Sequence, residues 1–131
     1  MTPGPEKTAA ELFMAQALAK QVKQELKESV LPYWMTRMED PAGGFIGRIT
    51  GMEELDPDAP KGAIMNARVL WTFASAYRLF KDSEEAESYL ETALRAKREI
   101  IDRFYDTEEG GIFWSLNPYG SPLDTKIQIY A

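Results

Sequence analysis

Apolar residues in the first part of the chain recur at helical spacing. Leu12, Ala15, Ala19, Val22, Leu26 and Val30 fall three or four positions apart and share one side of a helix. Ahead of them, Thr8 and Glu11 form a T-x-x-E capping box, in which each side chain accepts a backbone N–H at the helix start. The pattern predicts a disordered head at residues 1–8 and a helix from Ala9 to Leu31. Pro32 is expected to stop that helix, because proline has no N–H to donate and disfavours helical geometry in the residue before it. From Gly43 to Ile49 the period changes to alternation between turn formers, which predicts a short β element at residues 44–49. Asp56-Pro57-Asp58-Ala59-Pro60 reads as loop.

Between Gly62 and Phe80 the apolar residues Ile64, Met65, Val69, Leu70, Trp71, Phe73, Ala74, Tyr77, Leu79 and Phe80 cover more than one stripe. A second helix is therefore expected there, largely buried. A third runs from Ser83 to Phe104, with Asp82 or Ser83 as its cap and Glu84, Glu85 and Glu87 at the positive end of its dipole. Its inward face reads Tyr89, Leu90, Ala93, Ile100, Ile101 and Phe104. Residues 111–116 predict another short β element, turned at Asn117-Pro118-Tyr119-Gly120, and the sequence ends one turn into what reads as a fourth helix.

The elements repeat. Asp40-x-x-Gly43-Gly44-Phe45 and Glu108-Glu109-Gly110-Gly111-Ile112-Phe113 each put an acidic loop, a Gly-Gly pair and an aromatic after a helix. Lys61 to Ala67 is echoed by Lys126 to Ala131. The inference is a helical-hairpin repeat, in a ring or stack that needs more repeats than these residues supply. Chance occurrence of Gly-Gly beside two turns is the competing explanation.

Composition narrows the chemistry. The 131 residues carry 15 Lys and Arg against 21 Asp and Glu, a net charge of −6, with the cations scattered. Nucleic acid and anionic membrane are poor partners for such a surface. No apolar run has the roughly 20 residues a membrane helix needs, and Met1-Thr2-Pro3-Gly4-Pro5 lacks the features of a signal peptide, so a cytoplasmic location is expected. The absence of cysteine excludes disulfides and thiolate chemistry, and with no histidine the commonest general base is missing too. Neither a metal nor a cofactor is expected, and any acid–base chemistry must rest on Asp, Glu, Lys or Tyr.

Arg68 is the leading functional candidate, because a guanidinium in the middle of the most apolar helix needs a partner or a wet pocket. An internal ion pair with Glu39 or Asp124 is the alternative. Trp34, Trp71, Phe73 and Trp114 are candidates for a stacking platform, although core packing is the better expectation for Trp71 and Phe73. Glu53-Glu54 and Glu108-Glu109 superficially suggest the carboxylate pair of a glycosidase, but adjacent acids in such loops are usually solvated. Neither Gly-Gly pair is followed by Lys-Ser or Lys-Thr, so neither is a phosphate loop.

The segment from Lys61-Gly62-Ala63-Ile64-Met65-Asn66-Ala67-Arg68 through Trp71-Thr72-Phe73-Ala74-Ser75-Ala76-Tyr77-Arg78 resembles the second helix of the cellobiose 2-epimerase and N-acylglucosamine 2-epimerase family. Leu31-Pro32-Tyr33-Trp34, Gly43-Gly44-Phe45-x-Gly47, Gly110-Gly111-Ile112-Phe113-Trp114 and Asp124-Thr125-Lys126-x-Gln128-x-Tyr130-Ala131 follow in the family's order. The resemblance implies an all-α fold, a barrel of six helical hairpins around a sugar pocket. Residues 9–131 would supply its first three helices and the start of the fourth. It also implies epimerisation at C2 of a reducing-end sugar through an enediolate, with the disaccharide branch favoured over N-acylhexosamines.

In that scheme Arg68 contacts the sugar near C1 and C2, and Tyr130 hydrogen-bonds a sugar hydroxyl unless it is an ordinary core tyrosine. Asn66 and Gln128, at matching places in the two repeats, either touch sugar or pin the start of a helix. The family's usual acid–base pair is two histidines from later helices, which this sequence lacks, so a carboxy-terminal truncation without catalysis of its own is expected. Two other readings stay open. One is a non-catalytic helical module that self-associates or complements a separate second half, and the other is part of a six-hairpin glycoside hydrolase.

Overall fold

The computed structural model describes residues 4–6 and 8–127, so Gln128, Tyr130 and the expected fourth helix lie outside the described residues. The protein is helix-rich with two small antiparallel sheets. It divides into two compact units, one ending at Trp34 and one starting at Met35.

Helix α1 spans Ala9–Glu25 and opens with the predicted capping box: the Glu11 N–H donates to Thr8 Oγ1 at 3.2 Å, and the Thr8 N–H donates to Glu11 Oε2 at 3.0 Å. None of its residues is buried, and Leu12, Phe13, Met14, Leu18 and Val22 are exposed. Pro32 does not end the helical path as expected. A π-helical turn at Leu26–Val30 leads into α2, Leu31–Thr36, with the Leu31 N–H reaching back to the Leu26 carbonyl. An α-helical Pro32 would drive its ring into the carbonyl four residues back; the wider turn shifts that ladder, and Pro32 falls in the first turn of α2, where its missing N–H costs little.

In the second unit, strand β1 (Arg48–Ile49) pairs with β2 (Leu55–Asp56), so the expected loop at residues 56–60 begins one residue late. Strand β3 (Lys61–Gly62) leads into α3 (Ala63–Leu79), which packs on α4 (Ala86–Glu99). Tyr89 is the centre of that packing, with its ring centroid 6.3 Å from Phe73 and 6.1 Å from Phe80. Its burial raises the phenol pKa, helped by the charge of Glu85.

Helix α3 buries Ala63, Asn66, Val69, Phe73 and Ala76, a single stripe at three- and four-residue spacing, rather than most of its surface. One neighbouring helix covers one side, and Trp71 and Leu79 remain 73% and 72% exposed. The core expectation therefore holds for Phe73 and fails for Trp71.

Helix α4 starts three residues later than expected. Ser83 turns back through its N–H and hydroxyl onto the Phe80 carbonyl, and Glu85 precedes the helix with no side-chain cap. A second π-helical turn, Ile100–Phe104, shifts the helical phase, so that Phe104 is buried while Ile101 faces outward. Strands β4 (Ser115–Leu116) and β5 (Pro122–Asp124) complete a second sheet in the order β3-β4-β5.

The repeat expected from the Gly-Gly pairs extends to individual hydrogen bonds. Asp40 N–H donates to Gly44 O as Asp106 N–H does to Gly111 O, and Ile46 N–H donates to Met38 O as Phe113 N–H does to Phe104 O. Thr50 Oγ1 accepts from Met52 and Glu54 in the first copy, and Asn117 Oδ1 from Tyr119 and Ser121 in the second. Asp56 and Asp124 each accept the N–H two residues on, from Asp58 and Lys126. One pairing changes as a result: the acid matching Asp40 is Asp106 rather than Glu108.

Candidate functional site

The start of α3 is clamped before it reaches Arg68. The Ala63 N–H donates to the Trp114 carbonyl at 3.1 Å, and Asn66 Nδ2 donates to the Gly62 carbonyl at 3.0 Å. Asn66 is 1% exposed, and its Oδ1 has no hydrogen-bond partner among the described residues. Gly62 has no side chain to accept the orphan N–H groups of the first turn; the Trp114 carbonyl accepts that of Ala63, while the Asn66 amide donates back to the Gly62 carbonyl.

Lys61 provides the third restraint. Its Nζ lies 2.8 Å from Asp40 Oδ2 and donates to the Gly43 carbonyl, with the Lys61 and Asp40 side chains 3% and 8% exposed. From α4, Arg95 donates through Nε to the Gly44 carbonyl and through Nη2 to the Asp40 carbonyl, and its Nη1 stands 4.0 Å from Glu39. The Arg95 guanidinium also lies 5.9 Å from the centroid of the Phe45 ring.

Burial alone would raise the Asp40 pKa. Hydrogen bonds from Lys61 and the Ala42 N–H, with the charges of Lys61 and Arg95, outweigh it and hold the carboxyl below its ordinary value. Glu99 packs so closely on the first Gly-Gly pair that a Cβ on Gly44 would stand 2.8 Å from its carboxyl carbon. This buried polar cluster ties the first loop to β3 and α4, and sequence reasoning missed it. The signal available was Asp40 beside Gly-Gly; its partners are 21 and 55 positions away (61 − 40 and 95 − 40) and leave no local pattern.

Arg68 is exposed on α3, off the stripe that faces α4. The burial argument for it therefore does not apply to this chain, because a solvated guanidinium carries no desolvation cost. Among the described residues the internal ion pair with Glu39 or Asp124 is not formed: Glu39 turns to Arg95, and Asp124 Oδ1 accepts the Lys126 N–H. Trp34 belongs to the first unit, and in the second unit Phe73 and Trp71 do not share a platform. Phe73 is core, Trp71 is exposed, and Lys126 Nζ lies 5.7 Å from the Trp114 ring centroid. Glu53, Glu54, Glu108 and Glu109 are all exposed. Gln128 and Tyr130 fall outside the described residues. Among the described residues no helix is long and apolar enough to cross a membrane.

A helix-rich chain with small sheets and two hydrogen-bond-matched loops is thus defined, with one helix held at its start and presenting an arginine. No family model matches the chain. Over 119 residues it is 58% identical to the cellobiose 2-epimerase of Bacteroides fragilis, a match covering 90% of this chain and 29% of that protein. The cellobiose 2-epimerase of Ruminococcus albus is 33% identical over 113 residues, covering 86% of this chain and 28% of the relative. Among solved structures, cellobiose 2-epimerase from Spirochaeta thermophila superposes with a TM-score of 0.77 at 38% identity, over 90% of this chain and 28% of that one.

The chain belongs to the cellobiose 2-epimerase family. It spans under a third of the length of the curated relatives it matches.

Proposed function

We propose that this chain forms the opening helical hairpins of an (α/α)6 barrel that inverts C2 of a reducing-end disaccharide, and that α3 brings Arg68 to the sugar. The observation that supports this reading is the placement of Arg68, exposed on a helix whose other face is packed and whose start is clamped. Removal of the C2 proton leaves an enediolate, and a fixed guanidinium beside C1 and C2 stabilises its negative oxygen. One preorganised donor of this kind is worth about 3 kcal/mol in the transition state. The proton must be taken from one face and returned to the other, and the chain has no histidine for either task. Alone it is therefore inactive, and Tyr130 and Gln128 join the sugar site only with the remaining helices in place.

The test uses this chain and a fusion in which it replaces the matching stretch of the Bacteroides fragilis enzyme. Proton NMR in deuterated water should show no C2 exchange with cellobiose or N-acetylglucosamine by the chain alone and turnover by the fusion. Arg68→Ala in the fusion should cost about 10²- to 10³-fold in kcat with an unchanged melting curve. Exchange by the short chain, or near-parental turnover by the variant, overturns the assignment.

A second reading, assembly with itself or with a separately encoded remainder, is favoured by the exposed apolar residues Leu12, Phe13, Met14, Leu18 and Val22 on α1 and Trp71 and Leu79 on α3. Light scattering across micromolar concentrations distinguishes a self-associating chain from one that stays monomeric.

A further inference from the structure

The second β-hairpin has a neighbour that the first lacks. Strand β4 is flanked by β5 on one side and on the other by β3, the two residues that lead into α3. Its Leu116 is fully buried in a cluster with Phe104 and Ala63, the first residue of that helix. In the first copy Ile49 stands where Leu116 stands, and Met38 where Phe104 stands. Among the described residues no third strand pairs with the outer edge of β1, and Ile49 is only half-buried.

At Ile49 and Leu116 the backbone parity is the same in both copies, although β4 carries a register shift against β5 between Ser115 and Leu116 that β1 lacks. The Thr50 N–H donates to the Glu54 carbonyl, so ladder alternation turns the Ile49 N–H away from β2. In the second copy the Asn117 N–H donates to the Ser121 carbonyl, which turns the Leu116 N–H toward Lys61 on β3.

We infer that the outer edge of β1 is a docking edge for the short strand that leads into an inner helix of another hairpin repeat, carried by the rest of a complete family member. The incoming strand pairs with Arg48–Ile49 as Lys61–Gly62 pairs with Ser115–Leu116, and a small first helical residue covers Ile49 as Ala63 covers Leu116. A two-residue ladder holds little energy alone, so its role is registration: it fixes the height at which the last repeat meets the first. The inference rests on the family reading above, and its test requires no catalysis.

Hydrogen exchange followed by NMR on the 131-residue chain should find the Ile49 amide exchanging at least about 10-fold faster than that of Leu116, since only the latter is bonded. In the fusion with the remainder of the Bacteroides fragilis enzyme, the Ile49 amide should slow to the range of Leu116. If the fusion does not fold, the aligned amide of the natural Bacteroides fragilis enzyme gives the same reading. Fast exchange at Ile49 in the complete protein overturns the inference. Slow exchange in the short chain that is lost on dilution also overturns it, because the occupant would then be a second copy. A fusion that is protected at Ile49 but inactive leaves the docking edge standing and rejects the catalytic reading.

Discussion

Lys61 and Asp40 meet at 2.8 Å with both side chains more than nine-tenths buried, so each is the other's answer to the cost of a charge removed from water. Replacing one partner leaves the other stranded, and a broken buried pair typically costs about 3 to 5 kcal/mol. Lys61→Met should lower the unfolding free energy in urea by about 3 kcal/mol, and adding Asp40→Asn should restore most of the loss. A single variant within about 1 kcal/mol of the parent would show that the pair is not desolvated as seen here.

The same pair sets a pH dependence. Asp40 has an ordinary pKa of 3.8, and in the folded chain it lies lower, because its hydrogen bonds and cationic neighbours overcome its burial. The folded state therefore binds this proton less readily than the unfolded state. The resulting stability is present above the ordinary value and is lost as pH falls through the folded pKa. The urea midpoint should fall more steeply between about pH 5 and pH 3 for the parent than for the Asp40→Asn, Lys61→Met double variant. Asp56 is also lowered, chiefly by its hydrogen bond from Arg48, but that pair is more exposed, so Asp56→Asn should flatten the profile less.

Gly44 and Gly110 both occupy left-handed backbone, with φ of +66° and +80°. A Cβ at Gly110 meets open space, whereas at Gly44 it runs into the buried Glu99 carboxyl group. Both alanine variants carry the left-handed cost of about 1 to 2 kcal/mol. Gly44→Ala should exceed Gly110→Ala by a further 1 kcal/mol or about that, the lower range for overpacking. Equal losses in urea titrations would mean that Glu99 moves aside freely.

Two aromatics on one helix should respond in opposite ways. Phe73 is 1% exposed against Tyr89, and Phe73→Ala should cost about 3 to 5 kcal/mol. Trp71 is 73% exposed, and Trp71→Ala in the 131-residue chain should stay within about 0.5 kcal/mol of the parent. A large loss at Trp71 would show that the chain buries this face, for instance against another copy.

Features governed by near neighbours were readable in the sequence. The capping box at Thr8, the bounds of α3 and the Asn117–Gly120 turn depend on residues within five positions, and all three are present. Pro32 misled because a proline's effect depends on the ladder before it, and Leu26–Val30 carries no residue that announces a π-turn. Burial of α3 was overestimated because apolar content reports what a helix can cover, not how many neighbours it has. For the site, the position of Arg68 on α3 followed from helical spacing, but its exposure did not. The Asp40–Lys61–Arg95 cluster joins three separate segments and required coordinates.

The two loops keep the same closing hydrogen bonds although they differ in length: Asp40 is followed by two residues before its Gly-Gly pair, and Asp106 by three. Both loops close on the same bonds, so the segment between aspartate and glycine acts as an expansion joint. Residues can be gained or lost there without changing the closing bonds, and because the first loop is held by the buried Asp40–Lys61–Arg95 cluster, the exposed residues 107–109 of the second loop are where an inserted tag or label would disturb the rest of the chain less.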